Sequence, residues 1–161
     1  YEDGLRRAVA HVRERAGPRG VGVLDIGTGS GLLAMMAKRA GADRVTACEC
    51  FKPVAMSAER CITANGMDIE LVMRASSEMK QEDMCGGERA HILVNELYDT
   101  ELLGEGILPT LRHALEELMQ PEALVVPAKA DVVCQLLETE ALWGGYAAHK
   151  PHTEKGTPIF P

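Results

Sequence analysis

The sequence predicts an α/β fold, a parallel sheet with helices packed against both faces, and three observations predict it. Short apolar runs alternate with stretches of helical periodicity along the first three quarters of the chain. The runs are rich in Val, Ile and Leu, as strands buried on both faces are. One of them, VLDI, leads directly into the glycine turn GTGSG and then into a helical stretch, the strand-turn-helix order of a parallel α/β unit.

The elements follow in order. Residues 1–14 set Leu5, Val9 and Val12 at helical spacing, and Gly17, Pro18 and Gly20 end that helix. Residues 21–26 read as a buried strand, 32–40 as a helix, 44–48 as a second strand, and 53–64 as a second crossover helix closed by Asn65 and Gly66. A third strand is expected over 69–73. The polar stretch 76–88 reads as a surface excursion, and 91–95 as a fourth strand. A helix is expected over 110–119 with Pro109 near its start, and a short strand over 123–126 after Pro121. Past Pro127 the pattern changes. Ala130, Val132, Cys134 and Leu136 alternate with their neighbours in one long strand with no helix after it. Pro127 is therefore read as a boundary, with residues 1–126 an α/β core and 127–161 the start of an all-β unit cut short.

Composition narrows the classes. A chain of 161 residues, 46% hydrophobic and 25% charged, can bury one main core. No apolar run approaches the roughly 20 residues of a membrane span, and no basic-then-apolar leader opens the chain, so a cytoplasmic or nuclear protein with no membrane contact is expected. The net charge of −7 with no Lys or Arg block lacks the footprint of direct nucleic-acid binding. Five cysteines with no CxxC pair read as reduced thiols, and Cys48 and Cys50, flanking Glu49, as small core residues. The absence of an initial Met reads as a piece of a longer protein.

The glycine turn chooses among ligands. Gly27 and Gly29 fit the GxGxxG of a dinucleotide site, but position 32 is Leu and the third glycine, Gly31, comes one place early, which weakens that reading. Asp25 stands at the mouth of the strand, where a carboxylate can accept hydrogen bonds from a ligand ammonium. NAD offers no ammonium there, whereas the methionine half of S-adenosylmethionine does. Glu49 ends the second strand and is placed to accept both hydroxyls of a ribose, the plainer alternative being a solvated strand-end acid. Glu78, after the third strand, falls where an adenine amino group would sit, although an ordinary charged loop would read the same way.

A second stretch, NELYDTELLGEG (residues 95–106), carries Glu96, Asp99, Glu101 and Glu105 within ten residues. Carboxylates so crowded repel one another unless a cation joins them. Solvated loop acids are the plain alternative, but the stretch follows the fourth strand, at the sheet end where α/β proteins bind ligands. Gly104 and Gly106 bracket Glu105 and let the loop fold back toward Glu96. Where many amino-methyltransferases of nucleic acids carry Asn-Pro-Pro-Tyr to grip a neutral amide or base amine, this chain has Asn95-Glu96-Leu97-Tyr98, which suits a cation. A guanidinium matches two carboxylates because its planar fork pairs in bidentate fashion. Its pKa, above about 12, also makes it a poor nucleophile until two acids draw its charge toward the nitrogens they hold. No histidine or calcium-loop spacing favours a metal in this loop, and none is expected.

VLDIGTGSGLLAMMA, ACECFKP and NELYDTELLGEG together resemble the cofactor motif, the ribose-binding strand end and the double-glutamate loop of the protein arginine methyltransferases, with Glu96 and Glu105 nine positions apart. MMAKRAGAD, FKPVAMSAERCITANGM and DTELLGEGILPTLRHA resemble its type III, monomethylating branch. The resemblance covers nearly all of residues 1–138. It implies a Rossmann-like class I S-adenosylmethionine-dependent methyltransferase core followed by the start of a β-barrel substrate domain. It also implies S-adenosyl-L-methionine as cofactor, held by Gly27, Glu49 and Glu78 beside the Asp25 and Gly29 of the turn, and Glu96 and Glu105 as the catalytic clamp. Asp99 and Glu101 would shape the loop. Arginine-containing basic proteins such as histones are the implied substrates, and a dimer or tandem-module pseudo-dimer is implied only for a longer protein. The family's N-terminal helical cap, with its cofactor-pairing arginine, and the Thr-His-Trp loop of its barrel are not seen in the sequence, and His113, on a helix, is no substitute. Two other readings stand beside this one, a methyltransferase of another amine and a nucleotide-binding module without catalysis.

Overall fold

Strand β1 (Gly22–Ile26) is buried along its whole length, and it takes the middle of the sheet. The computed structural model describes residues 1–140. Helix α1 (Glu2–Arg13) precedes β1, and α2 (Leu32–Arg39), β2 (Arg44–Cys48), α3 (Lys52–Ala64), β3 (Glu70–Val72), β4 (Ala90–Asn95), α4 (Ile107–His113) and β5 (Met119–Val126) follow. The five strands are parallel in the order β3-β2-β1-β4-β5. The chain winds outward from β1 through β2 to β3, then crosses back to β4 on the other side of β1. That reversal opens a crevice at the carboxyl ends of the strands.

Alternation along the strands divides the core in two. Val23, Val45, Ala47, Ile92 and Val94 pack with Leu5, Val9 and Val12 of α1 and with Ala34 and Ala37 of α2. On the opposite face Leu24, Ile26, Cys48 and Leu93 meet Met79, Met84, Ala114 and Leu118. The parallel α/β core expected from the sequence is thus what the chain forms.

Within residues 1–126 four expectations differ from the structure. Residues 76–88 are not merely a surface excursion. They form three short 3₁₀ turns that sink Met79 and Met84 into the second core, and the Cys85 amide donates to the buried Thr46 Oγ1 at 2.8 Å. Two methionines five positions apart follow neither the helix nor the strand period, so pattern reading misses them. Helix α4 begins at Ile107, with Gly106 left-handed at its cap, and it widens into a π turn over Ala114–Leu118. Strand β5 then starts at Met119 and tolerates Pro121 because it is an edge strand whose register slips between the Ala90 and Ile92 pairings. Cys50 lies beyond β2 and is exposed, while Cys48 is buried as expected, its thiol pushed up to about 12 by burial.

The chain forms two compact units, Tyr1–Asp131 and Val132–Pro161. Residues 130–137, expected as a strand, pair with no strand among the described residues, and Val132, Val133, Leu136 and Leu137 are exposed. An alternating pattern gives a strand only where a neighbour supplies hydrogen bonds. The remainder of the expected all-β unit, 141–161, lies outside the described residues. Among the described residues no helix is long and apolar enough to cross a membrane.

Candidate active site

The glycine turn after β1 is left-handed at Gly27, Gly29 and Gly31, with φ of 72°, 59° and 84°. Each does a different job. An added Cβ on Gly27 would lie 2.6 Å from Leu97 Cδ2, so the bare backbone admits a side chain of the acidic loop. Gly31 admits Ile62 of α3, 3.1 Å from where its Cβ would be. Gly29 donates its amide to Glu49 Oε2 at 3.2 Å and so ties the turn to the end of β2.

Four of the turn's amides are already engaged. Gly27 and Thr28 both donate to the Cys48 carbonyl at 3.0 Å, Gly29 to Glu49, and Gly31 to the Thr28 carbonyl at 2.8 Å. A pyrophosphate cradle needs such N–H groups free. These four are therefore not available to one.

Asp25 is fully buried. Its Oδ2 accepts from the Thr28 hydroxyl at 2.6 Å and the Ala34 amide at 2.9 Å, which ties the turn to the first turn of α2. Oδ1 has no partner. Burial raises the carboxyl to about 6, against the lowering by those two hydrogen bonds, and Glu49 adds to the rise. A buried acceptor left open is what a ligand ammonium, directly or through a water, would satisfy.

Beyond the turn lies a cleft of about 390 Å³. Gly27, Glu49, Glu96 and Glu105 all line it, joined by Ser76 and Ser77. Glu49 Oε1 also accepts from the Phe51 amide at 2.9 Å, so the carboxylate is held by the backbone at both oxygens while lone pairs remain. Glu78 is exposed and is not among the lining residues, whereas the serines just before it are. Asp25 and Gly29 sit behind the wall and act on it through Thr28, Ala34 and Glu49.

The acidic loop owes its shape to Asp99. Its Oδ1 accepts from the amides of Glu101 at 3.1 Å and Gly104 at 3.2 Å, and its carbonyl from Leu102 at 3.0 Å. An added Cβ on Gly104 would overlap the Asp99 carboxylate. Leu102 and Gly106 are both left-handed, with φ of 74° and 75°, and these two reversals return Glu105 to the cleft that Glu96 lines. Glu101 is exposed and contributes its amide.

Sequence reading missed several participants. The Tyr1 hydroxyl donates to the Asn95 carbonyl at 3.0 Å, and its pKa is raised by burial and then by Glu96, Tyr98 and Asp25. Arg74 lines the cleft while paired with Asp83. Only proximity in space marks these groups, and no local pattern does. Among the described residues no three His, Cys, Asp or Glu side chains gather as a metal site.

A family model described as ribosomal protein L11 methyltransferase (PrmA) matches residues 11–109. The chain is 56% identical over 119 residues to protein arginine N-methyltransferase 7 of Aedes aegypti, covering 72% of this chain and 17% of that protein. It is 45% identical over 164 residues to protein arginine N-methyltransferase 7 of Danio rerio, covering 100% of this chain and 24% of that protein. The chain therefore spans about a fifth of the length of these curated relatives. Among solved structures it resembles the Trypanosoma brucei PRMT1 enzyme-prozyme heterotetrameric complex with AdoHcy, at a TM-score of 0.62 and 27% identity over 77% of this chain and 37% of that one. It also resembles Arabidopsis thaliana protein arginine methyltransferase 10, at a TM-score of 0.60 and 28% identity over 74% of this chain and 32% of that one.

Proposed function

The chain belongs to the methyltransferase family it matches over residues 11–109 and, by its relatives, to the protein arginine N-methyltransferases, and from that premise we propose that the whole protein methylates arginine in protein substrates. The observation that carries the reading is that Glu96 and Glu105, at the two ends of one loop, line a single cleft with the sequence-distant Gly27 and Glu49. S-adenosylmethionine fits the residues present. Glu49 would take the ribose hydroxyls, and Asp25, buried behind the wall with Oδ1 unpartnered, would reach the ammonium side through a water, while four of the turn's amides are held away from a pyrophosphate. When bound, this cofactor supplies an electrophilic methyl group on a sulfonium.

The chain's own residues do the rest. Glu96 and Glu105 hold the guanidinium by charge-assisted pairs and draw its positive charge to the nitrogens they bind, leaving the third nitrogen as the acceptor. Asp99 holds the loop that carries Glu105, and Leu97, packed on Gly27, joins that loop to the glycine turn. Positioning and electrostatics are the main demands of such a displacement. Substrates are read as arginine-containing basic proteins, histones among them, in the cytoplasm or nucleus. Residues 127–161 are read as the start of the β-barrel substrate domain, with any dimer or tandem pairing a property of the longer protein.

Calorimetric titration of the 161-residue chain should show S-adenosylmethionine binding, no NAD binding, and weakening of the former by Glu49→Ala. In a longer protein with the missing domain, Glu96→Gln and Glu105→Gln should each lower kcat/KM on an arginine peptide by about 100-fold, the typical loss for one preorganised electrostatic contact. Methylation of lysine peptides but not arginine peptides would replace the acceptor assigned here with another amine.

A further inference from the structure

At the opposite end of the sheet, where the strands begin, a second pocket of about 220 Å³ is lined by Arg15, His91, Gln120 and Glu122. We propose that it is a binding site for a tetrahedral oxyanion of the phosphate class. Three of its side chains keep donors to spare. His91 Nδ1 accepts the Gly22 amide at 3.1 Å, so the neutral ring carries its proton on Nε2 and remains a donor. Arg15 reaches Glu122 only at long range, 3.9 Å to the carboxylate and 3.5 Å to the carbonyl, so its guanidinium keeps donors to spare. Gln120 uses its amide nitrogen on the Arg89 carbonyl at 3.3 Å and retains a second N–H.

The surrounding charge agrees. Burial and then Arg44 and Arg15 push the His91 pKa down, and Glu88 opposes them. Glu88 is itself spent on Arg19 at 2.8 Å and Arg44 at 3.1 Å, and Glu122 is largely solvated. In the pocket itself one guanidinium, that of Arg15, and one imidazole donor face one exposed acid, on a chain whose net charge is −7. The backbone that builds the pocket is unusual as well. Glu122, a non-glycine residue, is left-handed at φ 63°, where the pairing of β5 with β4 slips register. Strain of this kind is often kept where a site needs it. Donors supplied from three parts of the chain, the segment after α1, β4 and β5, suit an anion with acceptor oxygens on several sides, as a tetrahedral one has.

The test is a nuclear magnetic resonance titration of the 161-residue chain with inorganic phosphate and with phenyl phosphate, at a constant ionic strength of about 0.15 M, with acetate and chloride as controls. Saturable binding that raises the His91 pKa is expected. Arg15→Ala should weaken it roughly tenfold, the loss of a hydrogen bond between charged groups, and Glu122→Gln should tighten it. Equal affinity for both phosphates identifies free phosphate as the ligand, and tighter binding of the ester identifies a phosphorylated partner. Both support the site. An absent or unsaturable response, an equal response to chloride or acetate, or unchanged binding in Arg15→Ala overturns it. None of these outcomes bears on the arginine reading, which concerns the other end of the sheet.

Discussion

Asp25 and Glu49 are acids of the same neighbourhood in opposite circumstances. Glu49 is half-exposed and held by two backbone amides, whereas Asp25 is fully buried with one oxygen unpartnered. Burial lifts the Asp25 carboxyl from 3.8 to about 6, so the folded chain favours its protonated form. The stability this supplies is complete below the unfolded value of 3.8 and is lost as pH rises through about 6. Asp25→Asn keeps an acceptor for Thr28 and Ala34 and removes the buried charge. Thermal melts of the free chain should therefore show the variant gaining on the parent from pH 4 to pH 7, while its S-adenosylmethionine affinity falls. A melting difference that is flat with pH would mean that Asp25 does not titrate in this range. At this scale the sequence showed which acids stand at strand ends. It did not show that Asp25 works from behind the cleft wall, or that Ser76 and Ser77 line the cleft where Glu78 was expected, because neither burial nor side-chain direction in an irregular turn has a sequence period.

Among the elements, the acidic loop depends on one residue for its shape. The Asp99 side chain accepts two amides of its own loop, those of Glu101 and Gly104, and without them the segment leading to Glu105 loses both of its side-chain ties. In the longer protein, Asp99→Ala should lower kcat/KM for an arginine peptide at least tenfold while S-adenosylmethionine affinity changes less than about threefold, since the two lost bonds hold Glu105 and not Glu49. Asp99→Asn, which keeps Oδ1 as an acceptor, should recover most of the activity. Equal loss in both variants would assign Asp99 a charge role instead. A further anchor is Thr46, whose hydroxyl accepts the Cys85 amide inside the sheet. Thr46→Val should destabilise the chain by about 1–3 kcal/mol, measured by denaturant unfolding, because it leaves that amide unpaired. The helices were legible because one face of each is apolar at a fixed period, and the strands because they are short apolar runs. Residues 76–88 and the start of β5 were not, because their anchors are single contacts made across the fold.

The whole chain divides at Asp131 into two units, and the parallel core lies entirely in the first. Residues 1–131 alone should melt within about 2 °C of the full 161-residue chain by circular dichroism, a shift smaller than about 1 kcal/mol would give. A larger fall would mean that the second unit supports the first. By itself the sequence determined the parallel α/β core, the order of its strands and helices, the glycine turn that disfavours a dinucleotide, and the family to which the chain belongs. Those are local or periodic properties, written in the spacing of apolar residues and in short motifs. Only the tertiary structure decided which acids share a cleft, which one is buried without a partner, and where a basic pocket lies at the far end of the sheet. Those facts depend on residues dozens of positions apart meeting in space, where burial and mutual charge set what each can bind.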